Sequence, residues 1–152
     1  MLKKVIGAAS IAALASGAAY AADQAGNANV EIVSAIVITE NTQIDFGQII
    51  NLDGTCTMAS GGSLSGTAGM ACTGTETPGT FQVAGTTGAV VDVSVTAGPA
   101  VDGVTFNPVI DGVLTRTLAG GTADVDVIGN IVLASATDGV KDIAYTFTAN
   151  YQ

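Results

Sequence analysis

A strict alternation near the C-terminus constrains this chain more than any other feature of its sequence. Between Asp142 and Gln152 every second residue is apolar: Ile143, Tyr145, Phe147, Ala149 and Tyr151. The residues between them are small or polar. A two-residue period in β-branched and aromatic residues is typical of a half-buried β-strand. Because terminal residues usually fray, a strand in this position must find hydrogen-bonding neighbours, and the question is whether the chain itself supplies both.

Residues 1–21 have the features of an export signal. Two lysines are followed by an apolar run from Val5 to Ala15 and by the sequence Ala-Tyr-Ala that ends at Ala21. This small-x-small pattern is the one that signal peptidase cleaves, so we expect cleavage between Ala21 and Ala22 and export of residues 22–152. The alternative, a retained membrane helix, is disfavoured because the run is shorter than the about 20 apolar residues that span a bilayer.

The charge balance excludes several classes of partner. The chain has 13 acidic and 4 basic side chains. Without Lys3 and Lys4, the exported form keeps 2 basic against 13 acidic side chains, which gives a net charge of −11. Such a surface favours solubility and repels nucleic acid and anionic lipid. The abundance of Val and Ile argues against disorder, although the net charge is high.

Short β-prone segments separated by Gly, Asn, Asp and Pro predict an all-β chain. No helical period with caps occurs after the signal sequence, and nine or ten strands at close spacing are typical of an immunoglobulin-like β-sandwich. We expect separate strands at residues 123–129 and 130–136. Residues 33–152 are predicted to form one domain and residues 22–32 a flexible arm, although the β-prone run Val30–Thr39 could belong to either.

Cys56 and Cys72 are expected to form a disulfide. An even number of cysteines in an exported chain indicates a bridge. These two flank a Gly/Ser-rich stretch, and the loop-closure entropy of a loop of this size corresponds to about 3 kcal/mol of stabilisation. The alternative is a redox or metal site, but the sequence has no CxxC, no third Cys and no His.

Catalytic and metal-binding chemistry have little support in the sequence. Without His there is no imidazole base, and no Ser lies in a GxSxG nucleophile elbow. Asp124 and Asp126 share one strand face, so they could form a carboxylate pair or a Ca²⁺ site. A solvated face with Val125 and Val127 pointing inward is the simpler interpretation. We therefore expect no enzyme activity, no metal and no cofactor.

A carbohydrate-binding module is a further alternative, because such modules are also exported sandwiches. Their sites usually present exposed aromatic platforms. Here the aromatic residues mostly fall in apolar alternation, where core packing is the default explanation. They are Phe46, Phe81, Phe106, Tyr145, Phe147 and Tyr151.

Three stretches of the chain resemble the DUF4402 family: "ITENTQIDFGQI", "GTFQVAGTTGAVVDVSV" and "ADVDVIGNIVLASATDGVKDIAYTFTANYQ". That family consists of small exported bacterial β-sandwich proteins that are similar to fimbrial subunits of the chaperone–usher type. The end of the chain is a second parallel with those subunits. Gly139 is the fourteenth residue from the C-terminus, Tyr151 is penultimate, and alternating apolar residues lie between them.

The resemblance implies a pilin-like sandwich that lacks one strand beside its last strand. In such subunits a periplasmic chaperone fills the gap first, and the N-terminal arm of another copy then replaces it. The resemblance assigns Ala28, Val30 and Ile32 to the apolar face of this donor strand. The acceptor groove would include five residues near the last strand: Gly139, Ile143, Tyr145, Phe147 and Tyr151.

The function implied by the resemblance is that of a structural subunit of a surface fimbria. Its expected partners are other copies of itself, a periplasmic chaperone and an outer-membrane usher. The single-domain length favours a shaft subunit over a tip adhesin. The alternative is a monomeric secreted or surface sandwich, acting as a matrix or carbohydrate-binding protein, that tucks its own N-terminal strand beside its last strand.

Overall fold

The structure is a computed structural model that describes residues 24–67 and 69–152. The predicted signal peptide and its cleavage site between Ala21 and Ala22 lie outside the described residues. The described chain forms eleven β-strands and one short 3₁₀ turn at Ala119–Gly121, so the all-β prediction is confirmed. No helix in this part of the chain is long and apolar enough to cross a bilayer.

The strands follow one another at close spacing. Their bounds are β1 Val37–Thr42, β2 Gln48–Ile49, β3 Gly54–Met58, β4 Leu64–Gly66, β5 Cys72–Thr73, β6 Gly79–Ala84, β7 Val90–Ala97, β8 Val104–Ile110, β9 Thr115–Thr117, β10 Thr122–Leu133 and β11 Tyr145–Tyr151.

The larger sheet is built around β10. Five of its six antiparallel strands lie in the order β1-β6-β10-β3-β4, and the sixth, β8, pairs with β10. The first half of β10, from Thr122 to Val127, pairs with β6, and its second half, from Gly129 to Leu133, pairs with β3. β10 therefore connects the β1–β6 pair of strands to the β3–β4 pair.

The second sheet has three antiparallel strands in the order β11-β7-β9. Along β11 the register runs from Tyr145 opposite Ala97 to Tyr151 opposite Val91. A separate short ladder joins β2 to β5. These open antiparallel sheets form a β-sandwich, as the sequence predicts.

The core consists of two clusters of buried apolar side chains. One lies between the two sheets and includes Phe81, Val83, Val91, Val93, Leu118, Val125 and Val127. The other lies beside the β2–β5 ladder and includes Phe46, Cys56, Met58, Phe106, Ile131 and Leu133. Tyr145 packs against both clusters, so the first residue of β11 joins the two halves of the interior.

Three strand boundaries differ from those expected from the sequence. The run Val30–Thr39 is a strand only from Val37 onward. β10 continues through Gly129 and Asn130, because these residues pair with β3 and β8. β11 begins at Tyr145 rather than at Ile143. Its partner β7 ends at Ala97, two residues before Pro99, which has no N–H to continue a ladder.

Asp124 and Asp126 are exposed on β10, while Val125 and Val127 are fully buried. The simpler interpretation of these carboxylates, a solvated strand face, is confirmed. No group of three or more metal-ligating side chains occurs among the residues that the structure describes.

Candidate functional site

Each sheet ends in strands that have one unpaired edge in the described chain. β1 is at one end of the larger sheet and pairs only with β6, while β4 is at the other end. β11 is at one end of the smaller sheet and pairs only with β7, while β9 is at the other end. An unpaired edge presents a row of backbone N–H and C=O groups that can bind an additional strand.

β1 and β11 are linked by a hydrogen bond at one end and border a common cleft at the other. The hydroxyl of Tyr151 donates a hydrogen bond of 2.8 Å to the carbonyl of Ser34, three residues before β1. At the opposite end, Glu40 of β1 and Tyr145 of β11 line the same cleft. The two edges are therefore antiparallel neighbours with no ladder between them. We call this gap, from the Ser34–Tyr151 contact to the Glu40–Tyr145 end, the edge seam.

The inner face of β1 is incompletely covered. Ile38 lies opposite Val83 in the β1–β6 ladder, and Val83 is fully buried. Directly opposed residues of an antiparallel pair point to the same side of the sheet, so Ile38 faces the interior. Its side chain is nevertheless 38% exposed. An inward-facing apolar side chain with this exposure indicates that no other part of the described chain packs fully over the inner face of β1.

The inner face of β11 is half-buried along the seam. Phe147 stacks on Phe81 of β6, with ring centroids 4.5 Å apart and planes 8° from parallel. Tyr145 contacts Phe81 and Phe106 edge-on, at centroid distances of 6.1 and 5.2 Å. These contacts fix β11 over β6, the strand next to β1. A strand added to the free edge of β11 would therefore lie over β1.

A cleft of about 970 Å³ opens at the Tyr145 end of the seam. Its apolar lining includes Phe46, Phe106, Ile131, Leu133, Ile143 and Tyr145. One wall is the segment between β10 and β11. Asn51 holds this wall by hydrogen bonds to Ala136 and Asp138, and Lys141 does so by an ion pair of 3.0 Å with Asp102.

The structure divides the predicted groove residues into two groups. Gly139, Ile143 and Tyr145 line the cleft, whereas Phe147 and Tyr151 lie farther along β11 and do not line it. All five are on or just before the strand that borders the seam. The predicted set therefore spans the cleft and the seam.

The hydroxyl of Tyr145 is buried and has no hydrogen-bond partner among the described residues. Burial, and to a lesser extent the negative charge of Glu40, raises the pKa of Tyr145 to about 12. This polar atom lies where the cleft meets the seam. It is the one buried polar side-chain atom in the described chain that has no partner.

The hydroxyl of Tyr151 is in contrasting surroundings. It accepts a hydrogen bond of 2.7 Å from the backbone N–H of Thr86 and donates one to the carbonyl of Ser34. The Thr86 hydroxyl in turn accepts a hydrogen bond of 2.8 Å from the N–H of Ser34. We call these three residues the terminal clamp. Gly85 leaves room for it, because a Cβ on Gly85 would overlap the Tyr151 hydroxyl.

The predicted donor residues are exposed in the described chain. Val30 is 78% and Ile32 88% exposed, and Ala28 is also exposed. Residues 24–36 contain no strand.

The predicted disulfide is confirmed: Cys56 of β3 and Cys72 of β5 are bonded, with Cα atoms 6.1 Å apart.

The family model of a domain of unknown function, DUF4402, matches residues 36–151. The chain belongs to the DUF4402 family. The match covers both strands that border the edge seam, because it begins one residue before β1 and ends with the last residue of β11. No curated protein and no solved structure matches the chain.

Four residues of this candidate site are not among those predicted from the sequence. Ile38 and Glu40 could have been found from the alternation Ile36, Ile38, Glu40, which is visible in the first β-prone run. Ser34 and Thr86 could not, because their hydrogen bonds depend on how the two sheets meet. No sequence pattern links these two residues to Tyr151, which is 117 residues from Ser34.

Proposed function

We propose that this DUF4402 protein is a structural subunit of a surface fimbria that polymerises by strand exchange. The N-terminal arm of one copy, residues 22–32, would occupy the edge seam of the next copy. The observation that carries the proposal is the pair of unpaired edges on β1 and β11, with a half-covered apolar layer between them.

The dimensions of the arm and the seam are compatible. β11 has seven residues, so at about 3.3 Å per residue the seam is about 23 Å long. The arm has eleven residues, enough to span it when extended. Ala28, Val30 and Ile32 alternate, so all three can point to one side and cover Ile38 and Phe147.

The energetics favour a lasting joint between copies. Full burial of Val30 and Ile32 is worth about 1.5–3 kcal/mol for each side chain. Backbone hydrogen bonds with the free edge of β11 add to this, less the conformational entropy of ordering the arm. Recognition by an added strand takes its affinity from the backbone ladder and its specificity from alternate side chains.

The route to the surface follows from the same features. The signal peptide would export the chain to the periplasm, where the Cys56–Cys72 disulfide is stable. A periplasmic chaperone would cover the seam until an outer-membrane usher presents the arm of the next copy. An uncovered apolar seam would otherwise favour aggregation.

Two Asp substitutions one residue apart test the arm. Val30→Asp places a charge on the face that enters the seam, and Asn29→Asp places the same charge on the opposite face. We expect Val30→Asp to abolish SDS-resistant ladders on unboiled gels and filaments in electron microscopy, as deletion of residues 22–32 should, while Asn29→Asp retains both. Ladders that persist after the deletion would contradict the proposal.

The carbohydrate-binding alternative has no support from the aromatic residues. Of the described aromatic side chains, Phe46, Phe81 and Phe106 are buried and the three on β11 are half-buried. None is available as an exposed platform for a sugar ring in the part of the chain that the structure describes.

A further inference from the structure

We infer that Tyr151 is a positioning residue whose hydroxyl directs the arm away from its own seam and makes it available to another copy. The inference rests on the proposed strand exchange. It adds a residue that determines whether the arm fills the seam of its own chain or the seam of another copy. Its basis is the terminal clamp, which fixes the chain at the point where the arm ends and β1 begins.

The clamp engages both backbone groups of Ser34. The N–H of Ser34 donates to the Thr86 hydroxyl at 2.8 Å, and its carbonyl accepts from the Tyr151 hydroxyl at 2.8 Å. Thr86 also donates its own N–H to Tyr151 at 2.7 Å. The three residues thus form a closed set of hydrogen bonds between the end of β11, the residues after β6 and the segment before β1.

An arm that filled its own seam would have to reverse direction just before β1. The turn would fall within Val33–Ile36, and its closing hydrogen bonds would require backbone groups that the clamp already uses. This segment, Val-Ser-Ala-Ile, also has no Gly, Pro, Asn or Asp, the residues that favour tight turns. Self-filling therefore requires that the clamp opens and that a poor turn sequence bends.

Strand direction favours another copy for the same reason. β1 runs away from the clamp and β11 runs towards it, because Ser34 and Tyr151 meet at the start of one and the end of the other. An arm that turned back beside β1 would lie parallel to β11. An arm that entered from the open cleft end would lie antiparallel to β11, and antiparallel pairing is the slightly more stable form.

Tyr151→Phe tests the clamp, with Gln152→Ala as a matched control. Gln152 is the next residue, and its side chain hydrogen-bonds to Asp92 of β7 rather than to the segment before β1. The full sequence is expressed in a host without assembly proteins, and the exported protein is purified, unfolded, and refolded at low concentration. The fraction of monomers with a protease-resistant arm then measures self-filling, and ladders after concentration measure exchange.

Tyr151→Phe removes both hydrogen bonds of the hydroxyl, and the one to Ser34 is the bond that self-filling must break. We expect the loss of that one bond to raise the self-filled fraction about five-fold and to reduce the ladders, while Gln152→Ala changes neither. Thr86→Val removes the partner of the Ser34 N–H and should shift both readouts in the same direction. If Tyr151→Phe does not fold, Thr86→Val serves as the test of the clamp. Equal arm sensitivity in the wild type and both clamp variants would overturn the inference, whereas a wild type that never forms ladders would overturn the proposed function instead.

Discussion

Two tyrosines of β11 point to the same face of the strand but differ in what their hydroxyls contact. Tyr151 satisfies its hydroxyl through Thr86 and Ser34, whereas the hydroxyl of Tyr145 is buried without a partner in the described residues. A buried unpaired hydroxyl costs about 1–3 kcal/mol. The two residues are therefore equivalent in the alternating pattern but opposite in their effect on stability.

Tyr145→Phe should make the fold more resistant to alkali. Burial, and then Glu40, raises the pKa of Tyr145 from 10.0 to about 12 in the folded chain. Between these values the unfolded chain loses the phenolic proton while the folded chain retains it. The ionisation of Tyr145 therefore leaves stability unchanged below pH 10 and lowers it as the pH rises towards about 12.

Denaturant midpoints for the wild type and Tyr145→Phe, measured at neutral pH and across this alkaline window, check the expectation. At neutral pH the variant should be equal to or more stable than the wild type, because it loses a hydroxyl that has no partner. In the window its midpoint should fall less steeply. Parallel decreases for the two proteins would contradict the assignment of the shift to Tyr145.

At the scale of the strands, alternation identified which side chains are buried but not which strands end a sheet. Val91 and Val93 of β7 and Val125 and Val127 of β10 are buried as the two-residue period predicts. The disulfide followed from the even cysteine count. The face of a strand is a local property of its sequence, so these features could be predicted without the fold.

The seam could not be derived from the pattern in the same way, because it depends on pairings between distant segments. The start of β11 is set by the end of β7 near Pro99, and the continuity of β10 is set by β3 and β8. The sequence predicts that Gly129 ends a strand. It instead allows close approach of β8, because a Cβ at this position would overlap the carbonyl of Asn107. Whether such a residue ends a strand or lies within one therefore depends on tertiary contacts.

Adjacent residues of β1 provide an internal control for the seam. Ile38 faces the interior opposite Val83, and its neighbour Val37, which is 57% exposed, points to the other side. Ile38→Asp should prevent an added strand from covering the seam, because it would bury an unpaired carboxylate. Val37→Asp should leave assembly unchanged.

Both variants should fold, since each side chain is at least 38% exposed in the wild type. Binding of a synthetic arm peptide, residues 22–32, to each exported protein would be measured by the change in peptide fluorescence anisotropy. We expect binding to Val37→Asp and little or none to Ile38→Asp. Equal affinity of the two variants would place the docking face elsewhere on the molecule.

At the scale of the whole molecule, the proposed joint between copies is apolar, whereas the chain is strongly acidic. Without residues 1–21 its net charge is −11, so two copies repel each other as they approach. The proposed contact between copies depends on apolar side chains and a backbone ladder, neither of which requires charge. Long-range repulsion and short-range attraction should therefore respond differently to salt.

Raising the ionic strength should speed assembly without stabilising the finished joint. At about 0.15 M salt the Debye length is about 8 Å, so charges outside the joint are screened and the encounter of two acidic copies becomes more frequent. Light scattering during assembly would give the rate at each NaCl concentration, and the loss of ladders on heating would give the stability of the joint. The rate should rise steeply with salt while the temperature of ladder loss changes little. A rate that fell with salt would indicate that ion pairs hold the copies together, which an arm with Ala28, Val30 and Ile32 as its contact face cannot provide.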